Sequence, residues 1–207
     1  MVSVGGAMRL GVFGGTFDPL HTGHLMAAQE VIEVLSLDRV LFVPALQSPH
    51  KAHEPTASAT LRLQMVRSAI EGDARFEVSD LEIRSGGGPS YTVETLRTIA
   101  VQRPGTELAL ILGADQWAEF GQWHEPREIA SIAKLALITR TGDCPSDLDS
   151  GFTDGPPPPT TVVPVTRIDL SATLIRSRVR EGLSVRYLVP ESVRRIIEAN
   201  NLYLNGV

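Results

Sequence analysis

Continuous apolar stretches alternate with amphipathic ones along most of the chain, and this alternation restricts the fold more than any other feature. The apolar stretches are rich in Val, Leu and Ile, which is typical of strands buried on both faces. The predicted strands are 8–13, 39–43, 75–83, 107–112, 134–139 and 161–165, and the predicted helices are 23–35, 58–71, 91–102, 126–131, 171–181 and 190–200. Such alternation favours a parallel sheet covered by helices, so the sequence predicts an α/β, doubly wound, Rossmann-like fold.

The chain has 207 residues, a length suited to a single domain with a substantial core. We expect 1–207 to form one domain whose last part, 167–207, is small and helical. Two segments interrupt the alternation. Residues 44–57 form a long loop that contains proline. Residues 141–160 are rich in Pro, Gly and Asp and have little apolar surface to bury, so we predict a flexible surface insertion there.

Charge and cysteine content exclude several classes of protein. The net charge is −5, from 19 basic and 24 acidic residues. This balance argues against a surface for nucleic acid or an anionic membrane. The single Cys144 excludes an internal disulfide and fits a cytoplasmic protein. We find no signal peptide and no apolar run near the roughly 20 residues that span a bilayer. A homo-oligomer stays possible.

The segment that follows the first predicted strand, GGTFDPLHTGHL at 14–25, has the layout of a phosphate site. The strand is predicted to end at Gly14-Gly15, where a backbone without Cβ atoms turns tightly and approaches a ligand. The helix that follows offers free N–H groups and a dipole that favour anions. The segment is neither the dinucleotide fingerprint nor a P-loop. His21 and His24 add donors for phosphate oxygens, and a bound phosphate should raise their pKa values.

A zinc site is the alternative interpretation of the histidines. His50 and His53 repeat the spacing of His21 and His24, and zinc prefers imidazole ligands. No pair has the helical i, i+4 spacing of H-E-x-x-H, so zinc is not favoured, and His53 is expected to be a solvated loop residue.

Cations that suit phosphate lie near the end of the chain. Ser171 is a plausible N-cap of a helix on which Arg176 and Arg180 share one face. Arginine matches phosphate geometry with two parallel hydrogen bonds. We expect Arg178 and Arg180 to lie on a solvated helix face. By themselves Arg176 and Lys51, which lies in the long loop, fit either a structural or a functional role.

Together these pieces resemble the nucleotidyltransferases marked by a (T/H)-x-G-H motif, and within them the bacterial nicotinate mononucleotide adenylyltransferases. The matching strings are GGTFDPLHTGHL (14–25), VPALQSPHK (43–51), SDLEIRSGGGPSYTVETLR (79–97), LGADQW (112–117) with FGQWHEPREI (120–129), and SATLIRSRVREGLSVRYLVPESV (171–193). They follow the family's order over nearly the whole chain. Two departures stand out: Ala172 replaces a second serine, and the insertion 141–160 has no counterpart.

The resemblance implies that AMP passes from ATP to nicotinate mononucleotide, giving nicotinate adenine dinucleotide and pyrophosphate in NAD biosynthesis. The acceptor phosphate is mostly dianionic at neutral pH, so attack is direct and needs neither a general base nor a covalent intermediate. Catalysis would be positioning and charge stabilisation with Mg²⁺ carried by ATP, assisted through water by Asp18 or Asp115. Turn and helix-cap roles are the alternatives for these two aspartates.

The resemblance also implies site residues. The catalytic set would be His21, His24, Lys51 and Arg176. The ATP-binding set would be Gly14, Gly15, Thr16, Phe17, His21, Gly23, His24, Gly113, Asp115, Ser171, Thr173, Ile175 and Arg176. The set that binds nicotinate mononucleotide would be Gly15, Thr16, Lys51, Ser90, Tyr91, Thr92 and Trp123. Trp117 is expected to pack in the core or a lid.

Three rival functions stay open. The acceptor of a related enzyme is the amide, nicotinamide mononucleotide. Phosphopantetheine adenylyltransferases rank low, because they usually have Thr where His21 stands. A nucleotide-binding sensor without activity is the alternative from another class, although the intact catalytic set argues against it.

Overall fold

The structure is a computed structural model that describes residues 6–47, 57–86, 90–140, 150–153 and 155–204. Its strands are β1 (Arg9–Gly15), β2 (Arg39–Pro44), β3 (Phe76–Val78), β4 (Glu107–Gly113), β5 (Lys134–Arg140) and β6 (Thr160–Val165). Its helices are α1 (Thr22–Leu35), α2 (Ala59–Ile70), α3 (Leu81–Arg84), α4 (Thr92–Gln102), α5 (Ala114–Glu119), α6 (Pro126–Ile132), α7 (Ala172–Arg180) and α8 (Glu191–Ala199), with a 3₁₀ turn at Phe120–Gln122.

The six strands form one sheet in the order β3-β2-β1-β4-β5-β6, and every neighbouring pair is parallel. The chain moves outward in one direction from β1 to β3 and in the other from β4 to β6. This arrangement confirms the predicted doubly wound α/β fold. The order reverses between β1 and β4, and the crevice outside the carboxyl ends of those strands is where ligands bind in such sheets.

Each face of the sheet has its own apolar core, because successive strand residues point to opposite faces. On one face, Val12 of β1 belongs to a buried cluster with Leu96 and Phe120. On the other face, Phe13 belongs to a cluster with Phe42. The helical C-terminal part has a third cluster, in which side chains of α7 and α8 pack against Met65 of α2 and Ala57.

The structure differs from the predicted elements in two places. The predicted strand 75–83 is shorter, since β3 covers only Phe76–Val78 and the short helix α3 follows. β3 lies at the edge of the sheet and has a ladder partner on one side only, from Val40↔Phe76 to Phe42↔Val78. The sequence also does not predict α5 or the 3₁₀ turn, which together are a compact helical segment between β4 and α6.

The described end of the insertion is packed against the domain. The N–H of Gly121 donates to the carbonyl of Ser150 at 2.9 Å, and Ser150 is buried. Phe152 contacts the ring of Phe120, and the guanidinium of Arg127 lies 5.3 Å from the centre of the Phe152 ring. Residues 150–153 thus pack on the domain, and the flexibility predicted for 141–160 stays a prediction. Residues 141–149 and 154 of this insertion lie outside the described residues.

Candidate active site

The phosphate loop, defined as Gly14–His24, does not turn where the sequence suggests. Strand β1 continues through both glycines, because Gly15 still pairs with Pro44 of β2. The backbone instead turns at Phe17, whose φ is +48°. A Cβ on Gly15 would lie 2.8 Å from the ring of Phe17, whereas a Cβ on Gly14 would meet nothing within 4 Å. Gly15 is therefore required by packing, and Gly14 opens onto free space.

A cleft lies beyond the carboxyl ends of β1 and β4, at the point where the strand order reverses. It contains about 800 Å³ of empty space, its open mouth included. Its lining includes Gly14, Gly15, Thr16, Glu82, Ser90, Tyr91, Thr92, Gln116, Trp123 and His124. Six of the seven residues predicted to bind nicotinate mononucleotide thus lie around one cleft; the seventh, Lys51, lies outside the described residues.

The segment 90–92 forms one wall of the cleft and begins helix α4. Tyr91 is the N-cap residue, so the first N–H groups of α4 have no partner within the helix and can receive an anion. The wall is tied to the loop after β2, since the Leu46 N–H donates to Ser90 Oγ at 3.2 Å. The Ser90 N–H donates in turn to the carbonyl of Gln47 at 3.0 Å.

Aromatic side chains also line the cleft. Trp123 lines the cleft and packs edge-on against Phe120, with 5.4 Å between ring centres. Trp117 is buried and stacks on the same Phe120, which confirms its expected core position. The ring of His124 lies 4.7 Å from the ring of Tyr91 and also lines the cleft. The sequence analysis gave His124 no role, although it lies within the matching string FGQWHEPREI (120–129).

His21 and His24 stack face to face at the start of α1, with 3.7 Å between ring centres. The N–H of His21 donates to His24 Nδ1 at 3.2 Å, so a neutral His24 carries its hydrogen on Nε2. Burial lowers the pKa of His21 to about 4. Its Nδ1 is buried and has no hydrogen-bond partner among the residues that the structure describes. Without a ligand His21 is therefore neutral, and only a bound anion would favour the cation expected from the sequence.

Helix α7 brings Arg176 to the phosphate loop. Its Nη1 donates to the backbone carbonyl of Asp18 at 2.8 Å, and its Nη2 donates to Thr173 Oγ1 at 3.2 Å. Ser171 caps the helix by accepting from the Leu174 N–H at 3.1 Å. A side chain of the C-terminal part thus contacts the phosphate loop at Asp18, 158 residues away in sequence. His21, His24 and Arg176 are not among the residues that line the cleft.

The other predicted nucleotide-binding residues lie in three kinds of place. Phe17 and Ile175 are buried in apolar clusters, so only their backbones can contact a ligand. Gly23 sits under the His21 ring, where a Cβ would lie 3.1 Å from Nδ1. Gly113 ends β4 and Asp115 lies exposed in the first turn of α5, both at the carboxyl edge of the sheet.

Comparisons with known proteins identify this constellation. The Cytidylyltransferase-like family model matches residues 12–178. A Thermus thermophilus protein named nicotinate-nucleotide adenylyltransferase is 44% identical, over 95% of this chain and 100% of its own. One from Desulfatibacillum aliphaticivorans is 41% identical, over 95% and 100%. The chain belongs to the nicotinate-nucleotide adenylyltransferase family.

A solved structure supports the fold of this family member. The Plasmodium falciparum nicotinic acid mononucleotide adenylyltransferase complexed with NaAD has a TM-score of 0.75, with 16% identity over 95% of this chain and 97% of that one. The same fold thus accommodates widely divergent sequences. The resemblance inferred from the five strings is confirmed over nearly the whole length.

The two aspartates predicted to assist Mg²⁺ through water lie in different surroundings. Asp18 is buried, and its Oδ1 accepts from the Tyr203 hydroxyl at 2.7 Å and the Ala57 N–H at 3.2 Å. It therefore does not fit a role beside a hydrated cation, whereas the exposed Asp115 does. Among the described residues no three His, Cys, Asp or Glu side chains cluster as a metal site. His50 and His53 of the zinc alternative lie outside those residues.

One buried cation of this family member was not predicted from the sequence. Arg62 of α2 is only 1% exposed. The available signal was its position three and four residues before the apolar Met65 and Val66, which places it on the inward face of the helix.

Proposed function

We propose that this protein transfers the adenylyl group of ATP to nicotinate mononucleotide and releases pyrophosphate. The observation that carries the proposal is the cleft, whose lining brings the Gly14–Thr16 part of the phosphate loop together with Ser90–Thr92 and Trp123. A ligand with a phosphate at one end and a flat anionic ring at the other matches these two walls. The names of the relatives agree with this chemistry.

The reaction needs little covalent help from the protein. An oxygen of the acceptor phosphate forms a bond to the α-phosphorus of ATP, and the bond from that phosphorus to the bridging oxygen breaks. The attacking phosphate is mostly dianionic at neutral pH, so no base has to remove a proton. The rate gain must come from holding the two phosphates in line and from stabilising the charge on the leaving group.

We assign that stabilisation to His21, His24, Arg176 and Lys51. His21 is neutral in the free protein because it is buried, so an approaching triphosphate would draw a proton onto it and gain a charged donor. His24 would donate through Nε2, since Nδ1 accepts from the His21 N–H. Arg176 already contacts the phosphate loop, because its guanidinium donates to the Asp18 carbonyl.

Mg²⁺ is proposed as the partner of the ATP phosphates. When bound, it neutralises phosphate charge and orients the chain of phosphates. Mg²⁺ keeps several of its waters and demands few carboxylates, so Asp115 would hold it through water. Asp18 already accepts hydrogen bonds from Tyr203 and Ala57, so we do not assign it this role.

The acceptor carboxylate would be received by the first N–H groups of α4, which carry the positive end of the helix dipole. Its ring would stack on Trp123, whose position at the cleft allows this although it also packs on Phe120. The same N–H groups give an amide weaker hydrogen bonds, because it lacks the charge. We therefore propose a preference for the acid over nicotinamide mononucleotide.

The test is pyrophosphate release from Mg·ATP with nicotinate mononucleotide and, in parallel, with nicotinamide mononucleotide. A kcat/KM that strongly favours the acid supports both the reaction and the pocket. Comparable release with both acceptors would keep the transferase and make the Ser90–Thr92 assignment wrong. A folded protein that binds ATP and releases pyrophosphate with neither acceptor would be a nucleotide sensor.

The proposed setting is cytoplasmic, as the single cysteine suggests. In the described part of the chain, no helix combines the length and the apolar character that crossing a bilayer requires. A homo-oligomer stays a possibility that the sequence raised.

A further inference from the structure

The fully buried Arg62 takes no part in the proposed chemistry, yet it lies between the two walls of the active site. A buried guanidinium is costly unless its donors are satisfied. Here three backbone carbonyls accept from Arg62, one at each nitrogen. Nε donates to Ala57 at 3.3 Å, Nη1 to Thr16 at 2.7 Å and Nη2 to Leu46 at 3.1 Å.

The three carbonyls belong to segments that sequence alone does not connect. Thr16 is in the phosphate loop. Leu46 and Ala57 lie near the two ends of the long loop between β2 and α2. The side chain of Arg62 therefore binds the phosphate loop and both ends of the long loop at the same time.

The contact at Leu46 continues to segment 90–92, the wall of the cleft that would receive the acceptor and is called the acceptor wall below. The Leu46 carbonyl accepts from Arg62, while its N–H donates to Ser90 Oγ. The next residue, Gln47, accepts from the Ser90 N–H. An unbroken series of hydrogen bonds thus runs from Thr16 through Arg62 and Leu46 to Ser90.

The surrounding charges keep this cation in place. Burial lowers the pKa of Arg62, and the nearby Asp18, Tyr203 and Glu82 oppose that effect. A guanidinium nevertheless stays protonated, because its pKa in water is above 12. Glu82 lines the cleft and accepts from the Thr95 hydroxyl at 2.7 Å, so the same cation also faces the base of the acceptor wall.

We propose that Arg62 is a positioning residue that sets the phosphate loop and the acceptor wall in register for adenylyl transfer. This inference rests on the proposed function for its kinetic consequence, but not for its structural one. Each substrate would still meet its own wall without Arg62. The reacting phosphates would be misaligned, and a displacement of about 1 Å costs on the order of 100-fold in rate.

The experiment compares Arg62→Lys with Arg67→Lys, a matched change on the same helix. Arg67 is exposed and lies 3.6 Å from Asp80, away from the cleft. Lysine keeps the charge but has no planar fork to reach three carbonyls. For Arg62→Lys we expect kcat to fall about 100-fold while both KM values change much less, and Arg67→Lys should resemble the wild type.

Hydrogen exchange supplies a readout that does not depend on the reaction. In Arg62→Lys the amides of Leu46 and Ser90 should exchange at least about tenfold faster, whereas that of Val12 in the central strand should not. Unchanged exchange at Leu46 and Ser90 would overturn the proposal even if activity fell. Altered exchange in a protein whose wild type is inactive would refute the proposed function and leave the positioning role standing.

Folding controls complete the test. Thermal unfolding identifies variants that are native at the assay temperature, and Arg62→Gln provides a second variant if lysine is not tolerated. A folded Arg62→Lys or Arg62→Gln with kcat within about threefold of the wild type would contradict the proposal. If neither variant folds, Arg62 supports the whole fold rather than one register, and the proposal is also wrong.

Discussion

The two histidines at the start of α1 have different tasks although they are stacked on each other. His24 accepts a hydrogen bond from the backbone of His21 and so helps to cap the helix. His21 is buried and has an Nδ1 that finds no partner among the described residues. A single short motif therefore supplies a structural acceptor and a donor that is held ready for a ligand.

Replacement of His24 separates these tasks. His24→Ala should lower turnover at least about 100-fold, the scale of losing one charge-stabilising donor. It should also cost about 1 kcal/mol of stability, because the cap acceptor is lost. In His24→Asn the side-chain oxygen can restore the cap without restoring the imidazole Nε2–H donor. Steady-state kinetics and urea unfolding of both variants test this, and near-wild-type turnover in either would remove His24 from the catalytic set.

His21 should make the stability of the protein depend on pH. Its folded pKa of about 4 lies below the ordinary value of 6.5 for histidine, so the unfolded chain binds the proton more tightly. The contribution of His21 to the free energy of unfolding is then fully present above pH 6.5 and is lost as the pH falls toward 4. We expect the wild type to lose about 2 kcal/mol more than His21→Asn between pH 7.5 and pH 5, as measured by urea unfolding. Equal losses in the two proteins would show that His21 is not buried in its neutral form.

At the scale of elements, the helical C-terminal part is fastened to the phosphate loop at three places. Arg176 of α7 reaches the Asp18 carbonyl. The loop before α8 receives Thr22, whose N–H and hydroxyl both donate to the Leu188 carbonyl at 3.0 Å. Tyr203, beyond α8, donates to the Asp18 carboxylate. These contacts explain why a motif at one end of the chain depends on residues at the other.

Tyr203→Phe tests this attachment. The hydroxyl is buried beside Asp18, and both burial and that carboxylate raise the pKa of Tyr203, so it stays a donor. Loss of a hydrogen bond to a buried charged group should cost about 1.5–3 kcal/mol. Tyr187→Phe is the control, because Tyr187 is 81% exposed. Thermal and urea unfolding should separate the two variants; equal stabilities would mean that water replaces the tyrosine at Asp18.

At the scale of the whole molecule, the sheet and the C-terminal helices share side chains. Met65 of α2 is buried with Ile175 and Val193 in the C-terminal cluster, and the neighbouring Val66 is buried in the cluster on the sheet. The helix α2 is therefore common to both parts. We expect residues 1–207 to unfold as one unit.

Cooperative unfolding can be checked with two probes. The fluorescence of Trp117 and Trp123 reports the core beside the sheet, and amide exchange in α8 reports the C-terminal cluster. Both should change at the same urea concentration, since neither part can lose its packing without exposing α2. A transition of α8 at lower urea than the tryptophan signal would divide the chain into two domains.

Much of this architecture was predictable because it depends on local patterns. Apolar runs and caps place α1, α2 and α4 within one or two residues of the prediction, and the alternation of elements implies the parallel sheet. The edge strand β3 was overestimated, since the apolar residues after Val78 belong to α3 rather than to the ladder. A pattern records that residues are buried, but not which element buries them.

The sequence by itself determined the fold class and the chemical types that a phosphate site needs: two histidines, glycines and a capped helix with Arg176. Only the tertiary structure decided that Asp18 binds Tyr203 rather than a hydrated cation and that His21 is neutral. It alone showed that Arg62 joins the two walls. The physical reason is that burial and partners across the chain set the charge and role of a side chain, and those follow from packing rather than from neighbours in sequence.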